Sequence, residues 1–189
     1  MSRADLLAAP AMDAGFVSHV RFVEPEDAEF ICRLRADPAL NSHISQSSPD
    51  VVAQRHWIER YKTREAAGEE YYFVIRHRGA DLGVVRMYDF QGTSFCWGSW
   101  IILPTRPPGL VTFSAVLIYE MGFDCLGFAQ SHFDVRLENR KVIDFHLRSG
   151  AEPTESNDLD QFFVFPRAIW PAFRTASAEQ IAQHRLRIG

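Results

Sequence analysis

Apolar and polar residues alternate with the two-residue period of β-strands in several short stretches of this chain, separated by segments with the longer period of α-helices. In the first half the pattern predicts a strand, two helices, an antiparallel hairpin and a further strand. In the second half it predicts a helix, a strand, a helix, a strand and a final helix. The predicted strands are His19–Val23, Tyr71–Ile75, Leu82–Tyr88, Phe95–Leu103, Ser131–Leu137 and Gln161–Phe165, and the predicted helices span 25–37, 50–68, 110–126, 140–149 and 177–187.

Proline and glycine mark where these elements end. Pro38 stops the first helix because proline cannot continue one, and Gly68 and Gly150 suit the left-handed conformation that ends many helices. Strands and helices in this order predict an α/β (α+β) fold. Residues 1–16 are expected to form a flexible tail, and 17–189 a single domain with a C-terminal extension from about residue 167.

Composition limits the classes of function. With 189 residues, of which 47% are hydrophobic, the chain can bury the core of one domain. The net charge of −4 and the interspersed charges argue against a nucleic-acid partner. No apolar run approaches the roughly 20 residues of a membrane span, and no secretory signal begins the chain, so a cytoplasmic protein is expected. Cys32, Cys96 and Cys125 are widely spaced without a metal or redox motif, which predicts buried, reduced thiols.

Two short motifs lie at the joints between elements of the second half. Residues 106–111, Arg-Pro-Pro-Gly-Leu-Val, connect an apolar strand to a helix, where backbone N–H groups and the positive end of the helix dipole can hold a phosphate. Further on, Asn139 precedes a helix that carries His146 and ends at Gly150. Both motifs are expected to lie near one cleft.

Together the two motifs resemble the GNAT superfamily of acyl-coenzyme A-dependent N-acetyltransferases. In that family a strand ending in V/L-x-P leads into an (R/Q)-x-x-G-x-(G/A) loop that holds the coenzyme A pyrophosphate, and Arg106, Gly109 and Val111 fall on those positions. Asn139 and His146 match the family pattern of an asparagine followed by a helix with tyrosine or histidine. The chain departs from the family at Val111, where glycine or alanine is usual, and at Pro107 and Pro108, which remove two N–H donors from the loop.

This resemblance implies a central mixed, mostly antiparallel sheet of about six or seven strands, flanked by helices and splayed between the fourth and fifth strands. It also implies that acetyl-CoA is the cosubstrate, that its pantetheine arm pairs with backbone groups of residues 100–103, and that N–H groups near Ile101 or Ile102 stabilise the oxyanion. No metal is implied. The residues implied to bind acetyl-CoA are Ile101, Ile102, Leu103, Arg106, Gly109, Leu110, Val111 and Asn139.

His146 is the implied catalytic residue, because it stands where many family members carry a tyrosine general acid. As an imidazolium it would protonate the leaving thiolate, and as a neutral imidazole it would hydrogen-bond the sulfur or the substrate. The structural alternative is a helix histidine held by a backbone carbonyl or by Asp144. Asp89, Asp134 and Glu138 are candidates for the general base, with a water-mediated route or an already deprotonated amine as alternatives.

Arg35, Tyr88 and Trp97 are the candidate contacts to the acceptor, and Asn41, His43 and Trp57 lie in the first two helices or their connection, which line the acceptor site in the family. For Arg35 the alternative is an ion pair on the helix surface, and for Trp57 it is core packing. Because Trp97 and Trp100 are three residues apart on one strand, they are not expected to point to the same face.

Three features are similar to the branch that acetylates nucleotide-linked amino sugars and to relatives that acetylate ribosomal-protein N-termini. They are the R-L-R-A-D-P segment of the first helix, the W-G-S-W strand and the E-N-x-x-V-I-x-x-H segment that contains Asn139 and His146. The expected partner is therefore a small-molecule primary amine, with a nucleotide-linked amino sugar as one option, no nucleic acid and no membrane. A homodimer is a further option. The alternatives are a protein N-terminal acetyltransferase and a degenerate GNAT domain that binds without catalysis.

Overall fold

The computed structural model describes Leu7, residues 15–43 and residues 50–188. The strands are β1 (Ser18–Phe22), β2 (Tyr71–His77), β3 (Ala80–Gln91), β4 (Ser94–Ile102), β5 (Gln130–Arg136), β6 (Glu152–Ser156) and β7 (Asp160–Pro166). The helices are α1 (Ala28–Ala36), α2 (Val51–Ala67), α3 (Leu110–Tyr119), α4 (Arg140–Ser149) and α5 (Trp170–Ile181), with 3₁₀ turns at Pro25–Asp27, Arg167–Ile169 and Ala182–His184. Among the described helices, none has the length and apolar character required to cross a membrane.

The seven strands form one sheet in the order β1-β2-β3-β4-β5-β7-β6. Every neighbouring pair is antiparallel except β4 and β5, which are parallel. Buried residues of α1 and α2 form a core on one face, and those of α3, α4 and α5 form a larger core on the other. This arrangement confirms the predicted mixed, mostly antiparallel α/β fold.

The sheet splays between β4 and β5, as the resemblance implied. The two strands pair only from Ser94 to Cys96 on β4, opposite Gln130 to His132 on β5. Beyond these pairs β4 continues to Ile102 and β5 to Arg136 without contact between their backbones in the ladder. The separation leaves a gap in the middle of the sheet.

A β-bulge in β4 corrects the expectation about the two tryptophans. Arg86 pairs with Gly98 but Val84 pairs with Ile101, so three steps along β4 match two along β3. The extra residue is accommodated at Ser99, whose φ of 47° lies in the left-handed region. Trp97 and Trp100 therefore do share a side, and their ring centroids are 5.1 Å apart.

The structure differs from the prediction in three places. The predicted helix over 110–126 is α-helical only to Tyr119 and continues as a π-helical turn over Glu120–Cys125. Strand β6 lies between the predicted helix 140–149 and the predicted strand Gln161–Phe165, where no element was predicted, because it is exposed and has no apolar alternation; its pairing with β7 defines it. The last helix begins at Trp170, not at residue 177, because Pro171 suits its first turn and Trp170 and Phe173 are buried.

The expected N-terminal tail lies largely outside the described residues, since 1–6 and 8–14 are not part of them. Leu7 is fully buried in the larger core. Phe16 forms a bridge with Arg187, and the carbonyl of Gly15 accepts a hydrogen bond from the Ile188 N–H at 2.8 Å. The C-terminal segment therefore packs beside the entry into β1.

Candidate functional site

Where β4 and β5 separate, a cavity of about 240 Å³ opens in the sheet and is called the cleft below. Seven residues whose side chains the sequence analysis considered for the reaction line it: Arg35, His43, Tyr88, Trp97, Asp134, Asn139 and His146. The cleft is also lined by Gly98, Ser99, Trp100, Phe133, Val135, Arg136 and Val142. Residues from α1, β3, β4, β5 and α4 thus meet at the gap.

The cleft has a different chemical character on the two faces of the sheet. Phe133 and Val135 of β5 belong to the core beneath α3–α5, and His146 of α4 lies against them. Asp134 lies between these two residues on the strand, so its side chain projects to the opposite face, on which α1 and Arg35 lie. The cleft therefore connects an aromatic side that holds the imidazole with a polar side that holds a carboxylate and a guanidinium.

His146 is surrounded by aromatic rings and is only 3% exposed. Its ring centroid is 4.3 Å from that of Phe133 and 5.5 Å from that of Trp97. Burial lowers the pKa of His146 to about 3, so roughly one molecule in 10⁴ carries the imidazolium near pH 7. Its Nδ1 has no hydrogen-bond partner among the described residues, so neither a backbone carbonyl nor Asp144 holds the ring through that nitrogen. The structure therefore favours the neutral imidazole over the imidazolium.

Of the three candidate bases, only Asp134 lines the cleft. Asp134 is exposed at the mouth of the cleft, and the partial burial of its carboxyl, followed by repulsion from Asp160, raises its pKa above the usual value. The carboxylate of Asp89 instead contacts Nε2 of His132 at 3.1 Å. Glu138 is exposed in the turn before α4 and does not line the cleft. Asp134 is consequently the one candidate base of the three that lies at the cleft.

Asn139 has the capping role that was considered for it and also reaches the cleft. It is the N-cap of α4, and its Oδ1 accepts a hydrogen bond from the Val142 N–H at 3.4 Å. At the other end of α4, Gly150 has a φ of 96° and its N–H binds the last carbonyls of the helix. These two caps fix the helix that presents His146.

Tyr88 lies against the bulge of β4. A Cβ on Gly98 would be 3.0 Å from the Tyr88 hydroxyl, so the glycine leaves room for the phenol. The guanidinium of Arg86 lies 4.8 Å from the Tyr88 ring centroid. Burial raises the pKa of Tyr88, whose hydroxyl also interacts with the Cys96 thiol, so the phenol stays protonated beside the cleft.

At the end of β4, some backbone N–H and C=O groups are bonded to β3 and others face the gap. The Leu103 N–H donates to the Leu82 carbonyl at 2.8 Å, so it is not available to the pantetheine arm as the sequence analysis expected. Ile101 lies opposite Val84 in the same ladder, and alternate residues of an antiparallel strand direct their N–H and C=O to opposite sides. Ile102 therefore directs its backbone groups toward the gap.

The loop after β4 leads into the start of α3. Gly109 has a φ of 81° and is the N-cap of α3 without a side-chain cap, so the first N–H groups of the helix, including that of Val111, lack a side-chain acceptor. The Leu110 N–H bonds to the Pro107 carbonyl at 3.3 Å and its side chain is fully buried, which argues against the predicted contact of Leu110 with the coenzyme. Arg106 is exposed, and its Nη1 donates to the Leu103 carbonyl at 3.4 Å. None of these loop residues lines the cleft itself.

Sequence reasoning missed Ser99 and Arg136, which both line the cleft. The Gly98-Ser99 pair inside a strand was a signal for the bulge, since glycine in a strand often marks one. Arg136 had no comparable signal; its Nη1 pairs with Asp160 at 3.2 Å. Of the additional acceptor candidates, His43 lines the cleft, whereas Asn41 donates to the Arg35 carbonyl at 3.1 Å. Among the described residues, no group of three or more histidine, cysteine or acidic side chains is arranged to hold a metal.

Comparison with known proteins supports the GNAT resemblance. The family model described as an acetyltransferase (GNAT) domain matches residues 19–152. A solved structure described as apo FdhC, a nucleotide-linked sugar GNAT, is 42% identical in sequence, with a TM-score of 0.78 over 90% of this chain and 96% of that one. A search of functionally curated proteins gave no match.

More distant structures share the fold alone. A chimera of the spermidine N-acetyltransferase SpeG from Vibrio cholerae and hSSAT is 17% identical, with a TM-score of 0.68 over 82% of this chain and 98% of that one. A dodecameric spermidine N-acetyltransferase from Vibrio cholerae is 15% identical, with a TM-score of 0.66 over 80% of this chain and 95% of that one. From the family match and the similarity to FdhC, the chain belongs to the GNAT acetyltransferase family and is an acetyl-transferring enzyme.

Proposed function

We propose that this enzyme transfers the acetyl group of acetyl-CoA to the primary amine of a nucleotide-linked amino sugar. The observation that carries the proposal is the cleft, in which a neutral imidazole and a carboxylate approach the same gap from opposite faces of the sheet. The 42% identity to a nucleotide-linked sugar GNAT supports the class of acceptor. GNAT domains use acetyl-CoA as cosubstrate, which supports the choice of donor.

The loop after β4 has the features that a pyrophosphate requires. Gly109 adopts a left-handed conformation before α3, and the open first turn of α3 directs N–H groups outward. Pro107 and Pro108 contribute no N–H donors, so Arg106 and the N–H groups of α3 bind the pyrophosphate. The pantetheine arm then runs along the unpaired edge of β4, where Ile102 can pair with it.

Asp134 accepts a proton from the substrate ammonium on the polar side of the cleft. The free amine attacks the carbonyl carbon of the thioester and a C–N bond forms. The carbon–sulfur bond then breaks, and the nitrogen releases its remaining excess proton to solvent as the amide forms. The N–H of Ile102 donates to the oxygen on which negative charge develops. The raised pKa of the Asp134 carboxyl makes it a stronger base than an ordinary aspartate.

His146 acts in its neutral form on the aromatic side. An N–H of the imidazole donates a hydrogen bond to the sulfur as the thiolate leaves, and the thiolate takes its proton from solvent. Transfer of a proton from an imidazolium is disfavoured because burial lowers the pKa of His146 to about 3. The role of His146 is therefore to stabilise the leaving group by hydrogen bonding.

The proposal is tested first by thermal-shift titration and calorimetry with acetyl-CoA, because a ligand that binds the folded state raises the melting temperature. Saturable binding is expected, and Arg106→Ala should weaken it, whereas Arg60→Ala on the exposed side of α2 should not. Release of coenzyme A thiol is then measured with nucleotide-linked amino sugars and with peptides as acceptors.

The outcomes separate the alternatives. Turnover of an amino sugar nucleotide supports the proposal. Turnover of peptide N-termini alone would make the chain an N-terminal acetyltransferase. A lack of any stabilisation by millimolar acetyl-CoA would mean that Pro107, Pro108 and Val111 have closed the donor site, and the donor assignment would be wrong.

A further inference from the structure

A second cavity of about 230 Å³ adjoins the cleft on the face of the sheet that α1 and α2 cover. It is lined by Ile31, Arg35, Gln54, Trp57, Tyr72, Arg86 and Ser99. Arg35 and Ser99 line both cavities, so the two meet at these residues. A ligand that occupies the second cavity can therefore extend into the cleft past Arg35.

The wall of the second cavity is positively charged. Two of its lining residues, Arg35 and Arg86, carry guanidinium groups, and none of the described residues that line it is acidic. Arg86 pairs with Glu70, but this buried carboxylate also binds Nε of Arg64 at 2.5 Å. One carboxylate shared by two guanidinium groups leaves part of their positive charge unbalanced. An anion is the complementary ligand for such a wall.

The Arg86 guanidinium is held in a fixed position. It lies 5.1 Å from the ring centroid of Trp57 and 4.8 Å from that of Tyr88. The ring of Trp57 is in turn stacked on Tyr61, with centroids 5.8 Å apart and planes at 1°. Contacts with two aromatic rings and an ion pair restrict the rotamers of a long side chain, so less entropy is lost when it binds a ligand.

Planar guanidinium groups match the geometry of phosphate oxygens and bind them through paired hydrogen bonds. The Gln54 amide and the Trp57 indole supply hydrogen-bonding and apolar surface beside the two arginines. We propose that the second cavity binds the diphosphate of a nucleoside diphosphate, whose attached sugar extends past Arg35 to bring its amine into the cleft. This placement rests on the proposed function and adds the site at which the nucleotide is held.

The diphosphate of coenzyme A belongs elsewhere. The loop of Arg106 and Gly109 lies beyond the end of β4 at the start of α3, and none of its residues lines the second cavity. α3 packs on the face of the sheet opposite to α1 and α2. The two diphosphates therefore occupy sites on opposite faces, and the protein binds both at once.

The test is calorimetric titration of the full chain with dTDP, UDP and GDP, each in the absence and in the presence of saturating coenzyme A. At least one nucleotide should bind saturably, with an affinity that coenzyme A leaves unchanged. Arg35→Ala should weaken that affinity by about tenfold or more, because a charged hydrogen-bond donor to the phosphate is lost. Arg33→Ala is the matched control, since Arg33 lies on the same helix, is exposed and lines neither cavity.

Arg86→Lys is a second variant that keeps the charge but loses the planar fork, and it should also weaken binding. The inference would be overturned by no binding of the three nucleotides at millimolar concentration, by displacement of the nucleotide by coenzyme A, or by an unchanged affinity of Arg35→Ala. These results are independent of the donor assignment, which fails only when acetyl-CoA itself does not bind. Circular dichroism of each variant verifies that it is folded.

Discussion

Replacement of His146 by leucine tests whether the imidazole is neutral in the folded enzyme. Burial lowers the pKa of His146 from 6.5 to about 3. At pH values between these two pKa values, His146 is protonated in the unfolded chain but not in the folded chain. The free energy of unfolding therefore decreases as the pH falls below about 6.5, and this contribution becomes constant below the folded pKa. Leucine has a similar volume and does not titrate, so the variant lacks the contribution.

The size of the effect follows from the two pKa values. One unit of difference corresponds to about 1.4 kcal/mol, so protonation of the unfolded chain removes about 2 kcal/mol of stability between about pH 7.5 and about pH 5. The complete loss, reached near the folded pKa, is about 5 kcal/mol. At about pH 5 the effect depends almost entirely on the pKa of the unfolded chain, because the folded chain is still unprotonated at His146.

Urea denaturation, followed by circular dichroism at the two pH values, measures the effect. Burial also lowers the pKa values of His19, His77 and His184, so the wild type loses more stability than His146 alone accounts for. These residues are unchanged in the variant, and the difference between the two proteins isolates His146. This difference should shift by about 2 kcal/mol in favour of the variant at the lower pH. The exposed His56 provides a control. The difference in unfolding free energy between the wild type and His56→Gln should be the same at the two pH values. A difference independent of pH would refute the neutral, buried imidazole.

Three further predictions concern Asp134, the proposed base, and the loop after β4. Asp134→Asn should lower the turnover of the acceptor by about 10²-fold with unchanged acetyl-CoA binding, whereas the control Glu138→Gln should retain activity. Steady-state kinetics measure this, and equal turnover of Asp134→Asn and wild type would remove Asp134 from the mechanism. His184→Leu should reduce the unfolding free energy by about 1–3 kcal/mol and weaken acetyl-CoA binding, because Nε2 of the buried His184 donates to the Pro108 carbonyl at 2.8 Å. His184→Gln should largely restore both the stability, measured by urea titration, and the binding of acetyl-CoA, measured by calorimetry. Gly109→Ala should lower the free energy of unfolding by about 1–3 kcal/mol, because φ is positive at Gly109 and the new Cβ would lie 2.5 Å from a backbone oxygen of α5. Urea denaturation measures this, and an unchanged free energy of unfolding would contradict the described packing.

Local signals in the sequence were sufficient for some elements. Helix α4 was predicted at its observed bounds because Asn139 and Gly150 are strong capping residues at its two ends. The hairpin of β2 and β3 was predicted because two apolar runs flank a turn with glycine. The meeting of Arg35, Trp97 and His146 in one cleft followed only from the family resemblance, since no local pattern brings these distant residues together.

Other features depend on contacts between distant parts of the chain. Strand β6 is polar and exposed, so only its pairing with β7 defines it. The contact between His184 and the Pro108 carbonyl joins the last described segment to the loop after β4, across 76 positions of the sequence. Likewise, the neutrality of His146 is a consequence of the rings around it and cannot be read from its position in a motif.

The bulge at Ser99 connects several of these features. By adding one residue to β4, it turns Trp100 to the same side as Trp97. Both rings lie close to His146, at 6.3 and 5.5 Å between centroids, and help to exclude water from it. The same bulge places Ser99 between the cleft and the second cavity, so it shapes the walls of both. The strand geometry that shapes these two cavities therefore also brings the rings that shield His146 from water, which links the lowered pKa of the imidazole to the architecture of the sheet.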